Sequence, residues 1–275
     1  MHLSRKLLGH IYMVAFLIYL LVPLAIMSGA AFNASKLPTI IPWKGLTDQW
    51  FIALYNDNRI WTAFRNTIVV AIAVVVIAVP VGAAGAILVN SISGRFRAVL
   101  YGMMVAPILV PGVVIGISTL LFWNQFSVGS GLHLSVLGQV SYIASFVMLL
   151  VLARLQSFDQ GLEEAALDLG ASHGQVMRRI LLPHLYPAIG AGAAISFFQS
   201  VENFNVTLFT RGGADTLTVY VFSKVRSGIT PTINALAFLM IMFTIGMAII
   251  YETRRRRAAT VEAAREAEAR RAEEG

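Results

Sequence analysis

The sequence contains no cysteine, and its five histidines are scattered without a pair at the spacing of metal ligands. The absence of cysteine excludes a disulfide framework, thiolate metal sites and cysteine nucleophiles. No Gly-x-x-x-x-Gly-Lys-Ser/Thr phosphate loop occurs, and neither a nucleophile–base pair nor paired catalytic carboxylates can be proposed. The sequence therefore predicts no catalytic residues, no metal and no cofactor.

Charged residues are also scarce, at 13% of the 275 residues against 57% hydrophobic residues. An average soluble protein has about 25% charged residues. The apolar residues form long runs, and runs of about 20 match the thickness of the hydrocarbon core of a bilayer. The net charge of +7 would fit a nucleic-acid partner, but the basic residues lie mostly in loops and in the tail, and no basic helix interleaved with aromatic residues is present. We therefore predict an all-α membrane protein that does not bind nucleic acid.

Six apolar runs predict six transmembrane helices. Their approximate bounds are His10–Ala31, Trp61–Asn90, Ala98–Trp123, Leu134–Ala153, Leu185–Phe209 and Ile233–Tyr251. A cleaved signal peptide is the alternative for the first run, but this run is longer than a typical signal core and the remaining chain is also apolar, so an uncleaved helix is favoured.

The arginines and lysines indicate how these helices cross the membrane. Most flank the first helix on its N-terminal side, the second and fourth connections, and the end of the sixth helix. The residues concerned are Arg5, Lys6, Arg95, Arg97, Arg154, Arg178, Arg179 and Arg254 to Arg257. Cytoplasmic loops carry an excess of basic residues, so both termini are predicted to be cytoplasmic.

Prolines and glycines interrupt two of the predicted helices. Pro107, Pro111 and Gly112 fall inside the third, and Pro80 falls inside the second together with Gly82 and Gly85. Proline removes an amide donor and clashes with the preceding turn, so these helices should be kinked or locally open. The small-residue pairs Gly112/Gly116 and Ala188/Gly192 have the four-residue spacing that lets two helices pack closely.

The predicted cytoplasmic segment 157–183 indicates two short helices joined by a glycine. Ser157 with Gln160 and Ser172 with Gln175 have capping-box spacing, and Gly170 suits a left-handed turn at the end of the first helix. Pro183 is expected to end the second helix. The first helix carries an apolar stripe of Leu162, Ala165, Ala166 and Leu169. That stripe must pack either on the protein's own helix ends or on a soluble partner.

This segment resembles the signature loop of binding-protein-dependent ABC permeases. The matching residues are Glu164, Ala165, Ala166, Gly170, Ile180, Leu182 and Pro183. The resemblance implies the type I ABC importer permease fold, a multi-pass location in the bacterial inner membrane, and a loop that couples to a cytoplasmic ABC ATPase subunit. It also implies a second permease subunit, identical or not, and an extracytoplasmic solute-binding protein. ATP hydrolysis would belong to the ATPase subunit.

The resemblance also implies a domain organisation and a substrate class. The first helix and its outer loop would occupy residues 1–60, the permease domain 61–252 and a charged tail 253–275. Segments 200–209, 216–220 and 227–235 look like the spermidine/putrescine branch of the family. Two departures are Glu202, where that branch often has Asp, and Leu217-Thr218, where it often has Leu-Pro.

An ionisable residue within an apolar span is costly unless it faces a cavity or a partner. Glu202 is such a residue, and we expect it to line the solute pathway with Gln199 and Asn203 and to favour a cationic solute. The alternative is that Glu202 pairs with Arg65. A proton- or ion-coupled secondary carrier or a channel is the alternative function, although no clear inverted repeat or paired intramembrane charges support it.

Overall fold

The computed structural model describes the backbone of residues 2–228 and 230–274, and the side chains of 7–228, 230–257 and 260. Helices account for all the regular structure in these ranges, apart from one isolated bridge between Asn33 and Leu46. The elements are α1 (His2–Phe32), α2 (Gln49–Tyr55), α3 (Asn58–Ser91), α4 (Gly94–Leu109), α5 (Gly112–Asn124), α6 (Leu132–Leu155), α7 (Gln160–Asp168), α8 (His173–Val176), a π-helical segment (Met177–Leu181), α9 (Leu182–Val201), α10 (Asn205–Thr210), α11 (Leu217–Ser227) and α12 (Pro231–Glu274).

Five stretches are long and apolar enough to cross a membrane, which confirms an all-α membrane protein. They are Leu7–Phe32, Asn58–Ser91, Leu132–Leu155, His173–Val201 and Pro231–Arg257. The pair α4 and α5 passes the same test only when taken together, and the two helices are bent by 105° relative to each other. The sixth crossing and the cytoplasmic position of both termini therefore stay predictions.

The break between α4 and α5 confirms the interruption expected from the third predicted span. Val110 is extended and Pro111 precedes the first turn of α5, where its missing amide hydrogen is not needed. By contrast, α3 runs without interruption through Pro80.

One predicted boundary in the C-terminal half is wrong. The fifth span was expected to continue to Phe209, but α9 ends at Val201 with Glu202 as its C-cap. The Asn203 side chain accepts the amide hydrogens of Val206 and Thr207, and so starts the separate helix α10. The sixth span is expected to end at Tyr251; the apolar stretch of α12 is Pro231–Arg257, and the helix continues beyond it through the charged tail to Glu274.

The chain divides into two compact units, residues 1–57 with 224–275, and residues 58–223. The core of the second unit lies among α3, α6 and α9. Its buried residues include Val79, Ala86, Val89, Val147, Met148, Val151, Leu152 and Leu185.

Glycines allow the helices of this second unit to approach closely. A Cβ at Gly82 would lie 2.5 Å from the carbonyl oxygen of Ala144, and one at Gly192 would lie 3.1 Å from Val147 Cγ1. A Cβ at Gly116 would lie 2.9 Å from the carbonyl oxygen of Val206. The close packing predicted for Gly116 and Gly192 is confirmed.

The first unit contains α1, α2 and α12, with a folded loop between α1 and α2. Asn33 is fully buried, and its Nδ2 donates to the carbonyl oxygen of Thr39 at 2.8 Å while its Oδ1 accepts from Lys44 N at 2.8 Å. The Trp50 indole donates to the Asn33 carbonyl at 2.8 Å. These bonds fix the loop, because a buried amide must satisfy its donors and acceptors within the protein.

Candidate functional site

The first helix of the 157–183 hairpin, α7, begins two residues later than the capping-box spacing indicated. Asp159 is its N-cap, and its Oδ1 accepts from Gly161 N at 2.9 Å. The cap predicted at Ser157 is wrong, because the Ser157 hydroxyl donates to the carbonyl oxygen of Arg154 at 2.8 Å, in the last turn of α6.

Gly170 ends this first helix in a left-handed turn, as predicted. Its φ is +85°, and Ala171 N donates to Ala166 O at 3.0 Å while Gly170 N donates to Leu167 O at 2.9 Å. This pair of bonds is a Schellman motif, which satisfies carbonyl groups that the helix end would leave open. The turn therefore reverses the chain toward α8 at a fixed angle.

The second helix starts with the predicted capping box. Gln175 N donates to Ser172 Oγ at 3.3 Å, and Ser172 N donates to Gln175 Oε1 at 2.8 Å. Two amide groups that would otherwise be open at a helix start are thereby satisfied.

Pro183 does not end this second helix, which corrects the prediction. The chain widens into π-helical turns over Met177–Leu181, with Leu182 N donating to Met177 O, and then continues as α9. The wider turns accommodate a proline because Pro183 falls at the start of the new α-helical register, where a missing amide donor costs least. His173–Val201 is therefore one helical stretch that joins the hairpin to the fifth span.

The base of the hairpin is held against the ends of α6 and α9. Arg154 Nε donates to the carbonyl oxygen of His184 at 3.1 Å, and the rings of Phe158 and His184 lie 5.2 Å apart. Val176 in the second helix is 3% exposed. The base thus has a defined position relative to the two spans.

The tip of the hairpin is open. No residue of α7 is buried, and Leu162 and Leu169 are 54% and 89% exposed. The signature residues Glu164, Ala165, Gly170 and Pro183 are exposed, while Ala166, Ile180 and Leu182 are half-buried. Of the two alternatives for the apolar stripe, packing on the protein's own helix ends is therefore not seen within the described residues.

A second polar site lies where α9 ends. Ser200 Oγ donates to Gln139 Oε1 at 2.5 Å, and Gln139 Nε2 donates to Thr207 Oγ1 at 2.9 Å. Asn203 Nδ2 donates to the Tyr142 hydroxyl at 2.6 Å. Because Gln139 is fully buried and each of its polar atoms has a partner, the network holds α6, α9 and α10 in one arrangement.

The three predicted pathway residues have different surroundings. Asn203 uses both ends of its amide in the network, and Gln199 is half-buried. Glu202 is exposed, and no ion pair joins it to Arg65 or to any other residue whose side chain is described. The pairing of Glu202 with Arg65 that the sequence left open is thus not formed.

Sequence reasoning missed the α6 side of this network. Ser135, Gln139 and Tyr142 are polar residues three or four positions apart in an apolar run. That spacing places them on one helix face and was the available signal. Ser135 Oγ lies 2.9 Å from Thr210 Oγ1, so Ser135 also contributes to holding α10 against α6.

Several apolar helices long enough to cross a membrane, with an open helical hairpin between two of them, are typical of a multi-pass membrane protein. The chain belongs to the family described as "Binding-protein-dependent transport system inner membrane component", whose model matches residues 78–258. The signature loop is typical of this family. The chain is thus an inner-membrane permease subunit, as the loop predicted.

Among curated proteins, the chain is similar to permeases of polyamine systems. It is 29% identical over 249 residues to the spermidine/putrescine transport system permease protein PotC of Haemophilus influenzae, covering 90% of this chain and 96% of that protein. It is 32% identical over 232 residues to the putrescine transport system permease protein PotI of Escherichia coli K12, covering 81% and 82%.

Solved structures share the fold at low sequence identity. A chain of a bacterial ABC transporter involved in the import of the acidic polysaccharide alginate superposes with a TM-score of 0.70 at 14% identity, covering 92% of this chain and 96% of that chain. A chain of the inward-facing MetNI methionine ABC transporter gives 0.56 at 19% identity, covering 78% and 99%.

Proposed function

We propose that this permease forms half of the solute pathway of an ATP-driven ABC importer and is driven through its 157–183 hairpin by a cytoplasmic ATPase subunit. The observation that carries the proposal is a hairpin with a fixed base and an open apolar tip, continuous with a spanning helix. The proposal includes six crossings with both termini in the cytoplasm, since the hairpin must face the ATPase.

The open tip has the chemistry of a docking surface. Leu162 and Leu169 would gain about 1.5–3 kcal/mol each if a partner buried them completely. Ala165 and Ala166 allow a partner backbone to approach, and Glu164, which has no ion pair among the described side chains, can accept charge-assisted hydrogen bonds. A cleft lined with apolar residues and a basic group in the ATPase subunit would match this tip.

The continuous stretch His173–Val201 provides the mechanical connection. When the ATPase subunits close on ATP, the hairpin moves with them, and the attached span moves because no flexible linker separates the two. Movement alone does not suffice: the closed ATPase must bind the outward-open state more tightly than the inward-open state.

The proposed importer needs further subunits, because a single set of spans forms only half of a solute pathway. A second permease subunit, like or unlike, would complete the pathway, and an extracytoplasmic solute-binding protein would deliver the solute. The domain bounds predicted from the sequence, with a permease domain at 61–252, belong to the same proposal.

A cationic solute of the polyamine class fits the second polar site best. Glu202 caps the C-terminus of α9, where the helix dipole adds negative potential to the carboxylate. Asn203 fixes the turn after Glu202 through Tyr142, so we assign it a positioning role beside the pathway, with Gln199 one position before Ser200 as a candidate contact. The similarity to PotC and PotI supports the same solute class.

The absence of cysteine makes a direct test possible. Ala165→Cys places a single thiol on the exposed tip, and Lys36→Cys places one on the exposed loop between α1 and α2 as a matched control. In membranes containing the whole importer, Ala165→Cys should crosslink to the ATPase subunit and the Lys36→Cys control should not. Failure of the tip thiol to capture an ATPase, with uptake driven by an ion gradient instead of ATP, would disprove the proposal.

A further inference from the structure

A cavity of about 530 Å³ lies at the ends of α3, α4 and α6, away from the hairpin tip and from Glu202. It is open on one side, and its lining includes Val89 at the end of α3, Arg97 and Tyr101 in α4, and Leu152 and Gln156 at the end of α6. The neighbouring basic residues place these helix ends on the predicted cytoplasmic side.

The lining has a charged part and an apolar part. Arg97 supplies a guanidinium group that forms no hydrogen bond or ion pair with the side chains and backbone described here. Gln156 adds an amide near the same opening, while the exposed Tyr101 and Ala153 and the half-buried Leu149 form an apolar wall. A ligand that matches this lining needs a negatively charged group joined to an apolar one.

We propose that this cavity binds an anionic phospholipid, with the lipid phosphate on Arg97 and the first part of an acyl chain along Tyr101 and Leu149. A guanidinium binds a phosphate through two parallel hydrogen bonds, which a lysine ammonium group cannot form in the same geometry. Basic pockets between spanning helices at the cytoplasmic boundary are suited to lipid headgroups. The apolar wall distinguishes a lipid from a soluble phosphate, which would leave that surface unoccupied.

This site is independent of the ATPase coupling and of the solute class. Arg97 lies in the first turn of α4, the helix that leads to the 105° bend before α5, so a bound lipid would hold the N-terminal end of that helix. The inference therefore gives α4, which has no buried residue of its own, a partner from the membrane.

The test uses the whole importer in nanodiscs made of equal parts phosphatidylglycerol and phosphatidylethanolamine, with bound lipid measured by native mass spectrometry. Arg95→Gln is the matched control, because Arg95 lies in the same turn and outside the cavity lining. Wild type and Arg95→Gln should retain phosphatidylglycerol in preference to phosphatidylethanolamine. Arg97→Gln should retain it about tenfold less or lower still, as expected for the loss of a charged hydrogen-bonding partner. Equal loss in both variants would overturn the proposal, since only general surface charge would then be involved.

A second variant tests the apolar part. Ala153 lines the cavity and is exposed, so Ala153→Trp should fill the space and reduce phosphatidylglycerol retention without changing any charge. Unchanged retention in this variant would place the lipid elsewhere and refute the site.

Added glycerol phosphate separates a lipid from a soluble ligand. At millimolar concentration it should leave the retained phosphatidylglycerol in place, because it cannot occupy the apolar wall. Displacement would show that the cavity binds soluble phosphates and would overturn the lipid assignment. Elution of each variant as the same complex in gel filtration checks that the fold is intact.

Discussion

Replacement of Gly170 by alanine tests the hairpin as the coupling element. A Cβ at this position meets no atom within 4 Å, so the substitution causes no clash. The cost arises from the backbone, because φ at Gly170 is +85° and residues with a Cβ pay about 1–2 kcal/mol in the left-handed region. The effect should therefore be confined to the turn between α7 and α8.

The size of this cost determines the expected result. A loss of 1–2 kcal/mol lowers the ratio of correctly turned to misplaced hairpins by about 5–30-fold. Under the proposed function, only the correctly turned hairpin would present Leu162 and Ala165 to the ATPase at the right angle. If the wild-type hairpin has little stability to spare, ATP-driven uptake in Gly170→Ala should fall several-fold at equal expression, while binding of the solute-binding protein stays unchanged.

Two further variants isolate the cause. Gly170→Asn should recover part of the activity, because asparagine tolerates the left-handed region better than alanine does. Gly174→Ala is the control, since Gly174 lies in the regular helix α8 and a Cβ there meets nothing within 4 Å. Uptake assays in vesicles loaded with ATP measure all three. Wild-type activity in Gly170→Ala, or an equal loss in the Gly174 variant, would refute the reasoning.

Three other substitutions test the second polar site and the core. Glu202→Gln, which removes the negative charge at the end of α9, should lower uptake of a labelled polyamine at matched expression, and unchanged rate and selectivity would exclude a pathway role. Gln139→Leu leaves Ser200 and Thr207 without their buried partner and should lower the thermal unfolding midpoint by an amount that corresponds to about 1–3 kcal/mol. Gly82→Ala places a Cβ 2.5 Å from the Ala144 carbonyl and should reduce the amount of folded protein in the membrane, whereas Gly102→Ala, at a position with open space, should not.

Local signals in the sequence predicted the hairpin well. Gly170 and the Ser172–Gln175 pair act through bonds within a few residues of themselves, so spacing alone identified the left-handed turn and the capping box. Ser157 had the same spacing but a stronger local competitor, the Asp159 side chain two residues later, and the structure uses the latter. Two candidate caps so close together cannot be ranked from spacing.

Tertiary contacts explain what the sequence did not predict. The polar network around Gln139 joins residues more than sixty positions apart, and it ties α6 to the last turn of α9 and to α10, an arrangement that residue spacing does not indicate. A helix end is predicted at Pro183 because proline has no amide hydrogen to donate within an α-helix. The π-helical turns before it accommodate the missing hydrogen bond, and residue preferences do not indicate such turns.

The two candidate sites of the permease are joined by a single element. The stretch His173–Val201 has 29 residues, which at about 1.5 Å per residue corresponds to roughly 44 Å, enough to reach across the hydrocarbon core. The hairpin lies at its first end and Glu202 at its last. Because Val201 is followed at once by a hydrogen-bonded network, a shift of this helix must either carry the network with it or break bonds to Gln139.

The π-helical segment is where this element can change its angle at least cost. Its wider turns are less favourable than α-helical ones, and no residue within Met177–Leu181 is fully buried, so rearrangement there disturbs mainly the packing of Leu181 on the core of α3, α6 and α9. Farther along, Gly192 packs against Val147 and Ser200 is tied to Gln139, which leaves little freedom. We therefore expect substitutions in the π-helical segment to alter how much uptake each ATP supports, and substitutions around Ser200 to alter solute handling. Under the proposed function, this helix would transmit movement from the ATPase to the solute pathway through a continuous helical start whose turns can change register and an end that is held by packing.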